Sequence, residues 1–448
     1  MSEIALDPTR LVIAAVIGLV ILLVLIIKFK LPAMIAILVG AVLIGLGAGM
    51  SFDQIVKAVD DGMGNTLKGI ALLVGLGSMF GSILEISGGA RTLAVTLVDK
   101  FGDRKAAWAL AITGLVIAMP VFFDAGLIIL IPLAFSLASR TGRSSLYYVI
   151  PLLAGLAVGH AFIPPTPGPV LVATMLGVDL GWVILIGIAC GIAAMIVAGP
   201  IWGAYCGKKF FIPVPEHVSG KSDSSKLPSF WTVVLIILIP LVLIILKSVA
   251  GVWDSLAPAR NILGFLGEPF VALTIATLMA MILLGYRNGY SKEELEKVMT
   301  KSLEPVGLIL LVTACGGVLR YILQYSGLGE VIGHAVASAS LPIVIVAFVV
   351  AALVRISVGS ATVAMTMAAG IISAMPEIAG LSPVHLACIT ASIAGGATVC
   401  SHFNDSGFWL VKSLVGMDEK TTLKTWTMME TLVGCTGFLV ALVISFFA

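Results

Sequence analysis

Charge is what this sequence has least of: 11% of its 448 residues are Asp, Glu, Lys or Arg, against 59% hydrophobic, and its mean hydropathy is +1.14. A soluble domain carries about 25% charged residues, so an ordinary soluble enzyme is excluded. Basic excess is missing too. With 26 Lys and Arg against 24 Asp and Glu, the chain offers no electrostatic footprint for nucleic acid. The six cysteines (Cys190, Cys206, Cys315, Cys388, Cys400, Cys435) form no C-x-x-C pair and lie mostly in apolar stretches. They read as small buried hydrophobes, not as a disulfide framework or metal site. A phosphate-binding P-loop, H-E-x-x-H and G-x-S-x-G are all lacking, which leaves ATP drive without support and an intramembrane enzyme as a remote alternative. No cofactor or metal is expected.

Long apolar runs are abundant instead. A membrane-crossing helix needs about 20 largely apolar residues, and Leu11–Ile27, Leu31–Met50, Phe230–Leu246 and Leu432–Ala448 meet or approach that. Repeating the count gives roughly a dozen spans by the same criterion. The expected fold class is an all-α polytopic membrane protein with about 12 transmembrane helices. The first span reads as a retained helix, because its leader carries Glu3 and Asp7 against Arg10 and no small-residue cleavage site follows before Lys28.

The polar stretch from Lys208 to Ser229 divides the chain into a first membrane repeat (1–207), a central loop (208–229) and a second membrane repeat (230–448). Ser82-Ile-Leu-Glu-Ile-Ser-Gly88 resembles Tyr321-Ile-Leu-Gln-Tyr-Ser-Gly327, with Ile83 and Ile322 separated by 239 positions. Asp124 and Ser360 are 236 apart, and His160 and His402 are 242 apart. Small loop insertions explain such drift in an internal repeat. Lys28, Lys30, Arg140, Arg143, Lys208 and Lys209 occupy one set of loops, whereas Asp53, Asp60 and Asp61 occupy another. The positive-inside rule then puts the central loop in the cytoplasm and the N-terminus outside. The two halves enter the membrane from opposite sides, as inverted repeats do.

Each half carries two polar interruptions: Phe122-Phe-Asp-Ala-Gly126 and Gly159-His-Ala-Phe-Ile-Pro-Pro-Thr-Pro-Gly168 in the first, Val358-Gly-Ser-Ala-Thr362 and Ser401-His-Phe-Asn-Asp-Ser-Gly407 in the second. Proline and glycine there predict broken helices and re-entrant hairpins, tolerated at membrane depth only against protein or a wet cavity. Asp124, His160 and Asp405 are the candidates for proton coupling, since an intramembrane ionisable group is seldom idle. Capping a half-helix is the competing role for both acids. Thr166, Ser360, Thr362, His402, Asn404 and Ser406 donate and accept as a hydroxylated substrate requires, with local backbone capping as their alternative. Arg320 and Arg355 suit a carboxylate but read first as a snorkelling cation and a partner for a buried acid. His217, His334 and His385 read as structural, and Glu85 and Gln324 are repeat-related without an assigned role.

Those four interrupted strings, ending in Ser401-His-Phe-Asn-Asp-Ser-Gly-Phe-Trp-Leu410, resemble the gluconate:proton symporter family of bacterial inner-membrane permeases from about Lys28 to the C-terminus. The resemblance implies proton-driven uptake of gluconate or a related hydroxy-acid. It also implies a homodimer whose partners are the small-molecule substrate, protons and membrane lipid, with an elevator-like transport domain. Some relatives carry Glu in place of Asp124 and His in place of Thr166. D-serine permeases fall in the same family, so D-serine or another small hydroxy-acid, and sodium coupling, stand as alternatives.

Overall fold

The computed structural model describes residues 8–215, 227–252, 258–331 and 341–448. His217, His334 and the middle of the polar central stretch lie outside the described residues. The chain opens with α1 (Pro8–Ile27), α2 (Ala33–Ala48), α3 (Phe52–Ile86) and α4 (Gly89–Ala118), the last kinked at Gly102. Next come α5 (Phe123–Thr141), α6 (Leu146–Phe162), α7 (Pro167–Leu176), α8 (Leu180–Ile196) and α9 (Trp202–Lys209). A π-turn at Val197–Ile201 joins the last two. Beyond the central stretch follow α10 (Phe230–Val252), α11 (Arg260–Leu266), α12 (Pro269–Ala280), α13 (Lys292–Lys301) and α14 (Glu304–Tyr325). The chain closes with α15 (Ile343–Val358), α16 (Ala361–Ser373), α17 (Pro383–Gly396), α18 (Ser406–Val415), α19 (Glu419–Thr422) and α20 (Met428–Ser445).

Among the described residues, nine helical stretches are long and apolar enough to cross a bilayer, and five more apolar helices are shorter. The sequence count of about a dozen thus resolves into full spans plus half-length pieces. Four of the five short helices flank the polar interruptions of the second half, because backbone breaks cut what hydropathy reads as continuous runs. Pro120 follows the end of α4, where its ring cannot continue a helix, and α5 starts three residues later. In the second half Gly359 adopts φ +83 and ends α15, and the Ser360 hydroxyl accepts from the Val363 amide to start α16. Arg355 is not part of this break. It lies in the last turn of α15.

The order of landmarks recurs at fixed spacing. Gly88 and Gly327 both take positive φ, as do Gly177 and Gly416. Asp179 and Asp418 then cap the following helices. Members of all three pairs stand 239 positions apart (88 and 327, 177 and 416, 179 and 418). The capping boxes Ser51–Gln54 and Ser291–Glu294 open α3 and α13 in the same way, 240 positions apart. Each satisfies two amides that the first turn leaves unbonded.

Packing separates an outer set from an inner one. α1 turns Val12, Ile13, Val16, Ile17 and Val20 outward, as a lipid-facing helix does. In contrast, α6 buries nearly every residue, including Tyr148, Leu152 and Leu156, between α4, α5 and α8. α3 and α14 run against each other so closely that a methyl on Gly62 would meet the Val318 backbone at 2.6 Å. Small residues at such crossings gain van der Waals contact where lipid supplies no hydrophobic drive. α16 contacts both α7 and α14, and α20 packs on α8 and α17, so both halves of the chain contribute to one interior.

Candidate functional site

All four interruptions meet around one cavity of about 650 Å³, within the ~300–1,000 Å³ usual for small-molecule sites. The first residues of α5, α7, α16 and α18 line it: Phe123 and Asp124, Pro167 and Gly168, Ala361 and Thr362, Ser406 and Gly407. Four helix N-termini therefore converge on one space. Each brings unbonded amides and the positive end of a helix dipole, an arrangement that favours an anion. Two of the four are capped by their own side chains, Ser360 to Val363 at 3.4 Å and Asp405 Oδ1 to the Gly407 amide at 3.0 Å. The other two, at α5 and α7, have no side-chain cap. In α7 the prolines at 167 and 169 lack amides and the Val170 amide bonds Thr166 carbonyl, so the first turn offers the Gly168 N–H alone.

A buried polar chain backs the second pair of breaks. Arg355 donates to the Gly359 carbonyl and to Asp405 Oδ2, and Ser401 donates to the same carboxylate oxygen. The Trp426 indole donates to Ser401 Oγ at 2.7 Å, and its ring packs against Phe123 at 5.6 Å. Arg355 and Asp405 side chains are only 4% and 14% exposed, so neither charge is tolerable without the other. The Ile356 carbonyl accepts from Asn404 Nδ2 at 2.9 Å and faces His402 Nε2 at 3.0 Å, tying the α17–α18 loop to the end of α15.

Of the residues singled out in sequence, Asp124, His160, Asp405, Ser360, Thr362, Asn404 and Ser406 all line the cavity. Two do not. Thr166 is buried and donates its hydroxyl to the Ile163 carbonyl at 2.7 Å, facing a separate space of about 20 Å³ beside Pro120 and Ser78. His402 is engaged with the Ile356 carbonyl and is not among the lining residues. Hydropathy and break positions did not single out Glu430 and Trp426, which line the cavity from the start of α20 and the π-turn before it. Glu430 was legible only as an acid in an apolar span. Arg355 also lines the cavity, besides pairing with a buried acid. Three buried polar atoms on the lining residues lack a hydrogen-bond partner among the described residues: His160 Nδ1, Arg355 Nε and Glu430 Oε1. Buried polar groups are ordinarily satisfied, and all three of these residues border the cavity.

The Gly359 turn is a close approach as well as a left-handed residue. A methyl there would overlap the Asn404 carbonyl, and positive φ strains a side chain by a further ~1 kcal/mol. Gly359→Ala should lower the thermal melting point and cut transport at least tenfold. Gly177→Ala, equally left-handed but with open space around it, should show the smaller effect of strain alone.

A cavity lined by both halves, with four helix starts in its wall and membrane-length helices in the same chain, suits the interior of a carrier, and known proteins match it. Residues 10–447 match the model of the GntP family permeases. The chain is 40% identical to the low-affinity gluconate transporter of Escherichia coli (strain K12) over 435 residues, covering 97% of this chain and 98% of that one. It is 36% identical to the gluconate permease of Pseudomonas aeruginosa over 442 residues, covering 97% of each. The solved Alcanivorax borkumensis YdaH transporter shares the fold at a TM-score of 0.64 and 17% identity, over 88% of this chain and 90% of that one. The chain belongs to the GntP permease family and is a multi-pass membrane transporter, not an enzyme.

Proposed function

We propose that the protein is a proton-coupled symporter importing gluconate or a closely related sugar acid across the bacterial inner membrane. The observation that carries this reading is the convergence of four helix N-termini and the Arg355 guanidinium on a cavity that also holds Asp124, Asp405 and Glu430. The dipoles and guanidinium suit a carboxylate, and Ser360, Thr362, Asn404 and Ser406 suit a hydroxylated chain. Yet three carboxyls face one guanidinium. With all of them ionised an anion would meet net negative charge in a low-dielectric space, so its entry favours taking up protons. Names of the similar transporters, gluconate in both cases, support the same substrate class.

Sodium coupling is less well supported, because two carbonyls at the second break are already engaged. Gly359 accepts from Arg355, and Ile356 accepts from Asn404. We take residues 1–207 and 230–448 as two inverted repeats with 208–229 in the cytoplasm, a division supported by the landmark pairs 239 positions apart. The homodimer belongs to the same proposal.

In proteoliposomes an inside-alkaline pH gradient should drive labelled gluconate uptake, and a sodium gradient at equal pH should not. Full uptake on sodium alone would overturn the coupling. Unlabelled glycerate and fructuronate should compete less well than gluconate; a D-serine that competes better would move the substrate out of the sugar acids.

A further inference from the structure

Glu430 is the charged residue of the cavity that the proposed function leaves without a role. It is 5% exposed, one of its oxygens has no hydrogen-bond partner among the described residues, and it lines the cavity. Arg355, from α15, and Asp405, from the loop before α18, both act on it electrostatically. His160 from α6 and Asp124 from α5 share the same cavity. The remaining titratable groups on helices packed against α20, Tyr147 and Tyr148 of α6, Cys190 of α8, and His385 and Cys388 of α17, do not line the cavity. Arg355 is the cation near Glu430, and Asp405 already holds it on one side while its Nε is unbonded.

We propose that Glu430 is a proton-bearing positioning residue for the substrate's carboxylate: ionised, it competes for the Arg355 guanidinium, and protonated, it leaves that guanidinium to the incoming anion. This rests on the reading of the cavity as a carboxylate site. The logic is charge balance. An ionised acid at this burial requires a counter-charge, and Arg355 cannot serve Asp405, Glu430 and a substrate carboxylate at once. One proton on Glu430 removes one claimant, so binding of the anion and binding of the proton favour each other. Asp124 differs in kind. It is exposed to the open cavity and is placed to exchange protons with the entering water, whereas Glu430 is buried in the cavity wall.

Two measurements on purified protein test this. The first is proton uptake per gluconate bound, read from the slope of log affinity against pH. Glu430→Gln, isosteric and permanently neutral, should bind gluconate with a slope smaller by about one proton, and Glu430→Asp should restore it. A Glu430→Gln protein with the wild-type slope would overturn the proposal. The second needs no substrate. Infrared difference spectra across the pH range should contain a buried carboxyl band that disappears in Glu430→Gln, and whose titration midpoint moves in Arg355→Met. A midpoint indifferent to Arg355 would also overturn the proposal. If the wild-type protein bound no sugar acid, the functional reading would fail on the first measurement while the second still judged Glu430.

Discussion

Arg355→Met is expected to abolish gluconate uptake, by at least a hundredfold, and to destabilise the protein. Removing one member of a buried ion pair strands the other at a cost of about 3–5 kcal/mol, and here Asp405 would lose its counter-charge while still capping α18. Stability and function can be separated. In the double variant Arg355→Met/Asp405→Asn the ion pair is removed whole, Glu430 is left to hold its proton, and asparagine still caps a helix. Its thermal melting point should recover most of the loss, while uptake should stay at background because the guanidinium proposed to receive the carboxylate is gone. Recovery of transport together with stability would show that Arg355 serves only the fold. Arg355→Lys should rescue poorly, since an ammonium cannot serve Gly359, Asp405 and a carboxylate with one planar fork.

The second large effect is expected at Asp124. Asp124→Asn should bring accumulation down to equilibration, with internal and external gluconate equal, while preserving counterflow exchange. Its side chain lies in the first turn of α5, is exposed to the cavity and feels the charge of Asp405. An amide keeps the shape and hydrogen bonding but carries no exchangeable charge. Pre-loaded proteoliposomes read both quantities in one experiment. Persisting pH-driven accumulation would remove Asp124 from the coupling role. Loss of counterflow as well would make it part of the substrate site.

The membrane class, the places where helices break and the family were legible in the chain because each is a local property. Twenty apolar residues need only be counted, and Pro120, the proline cluster from Pro164 to Pro169 and Gly359 mark breaks through their own backbone chemistry, although single prolines at 132, 151 and 240 are carried inside helices. The strings at 122–126, 159–168, 358–362 and 401–407 mark the cavity directly, and all four contribute lining residues. What a polar residue faces is another matter. Thr166 sits in the most conspicuous of these strings, yet its hydroxyl is spent on Ile163, one turn back. His402 belongs to an equally conspicuous string but braces the Ile356 carbonyl.

Glu430 shows the converse. It lies 23 positions beyond the last interruption (407 and 430), inside a run that hydropathy reads as one more span. The packing of α20 against α15 and α17 brings it to Arg355 and Asp405. By itself the sequence determined that this chain crosses the membrane many times, where its helices fail, and which acids and hydroxyls gather near those failures. Only the tertiary structure decided that Arg355, Trp426 and Glu430 line the cavity and that Thr166 and His402 do not. The reason is physical: hydropathy and breaks act along the backbone, whereas the company a charge keeps depends on helix rotation and on contacts between residues far apart in the chain.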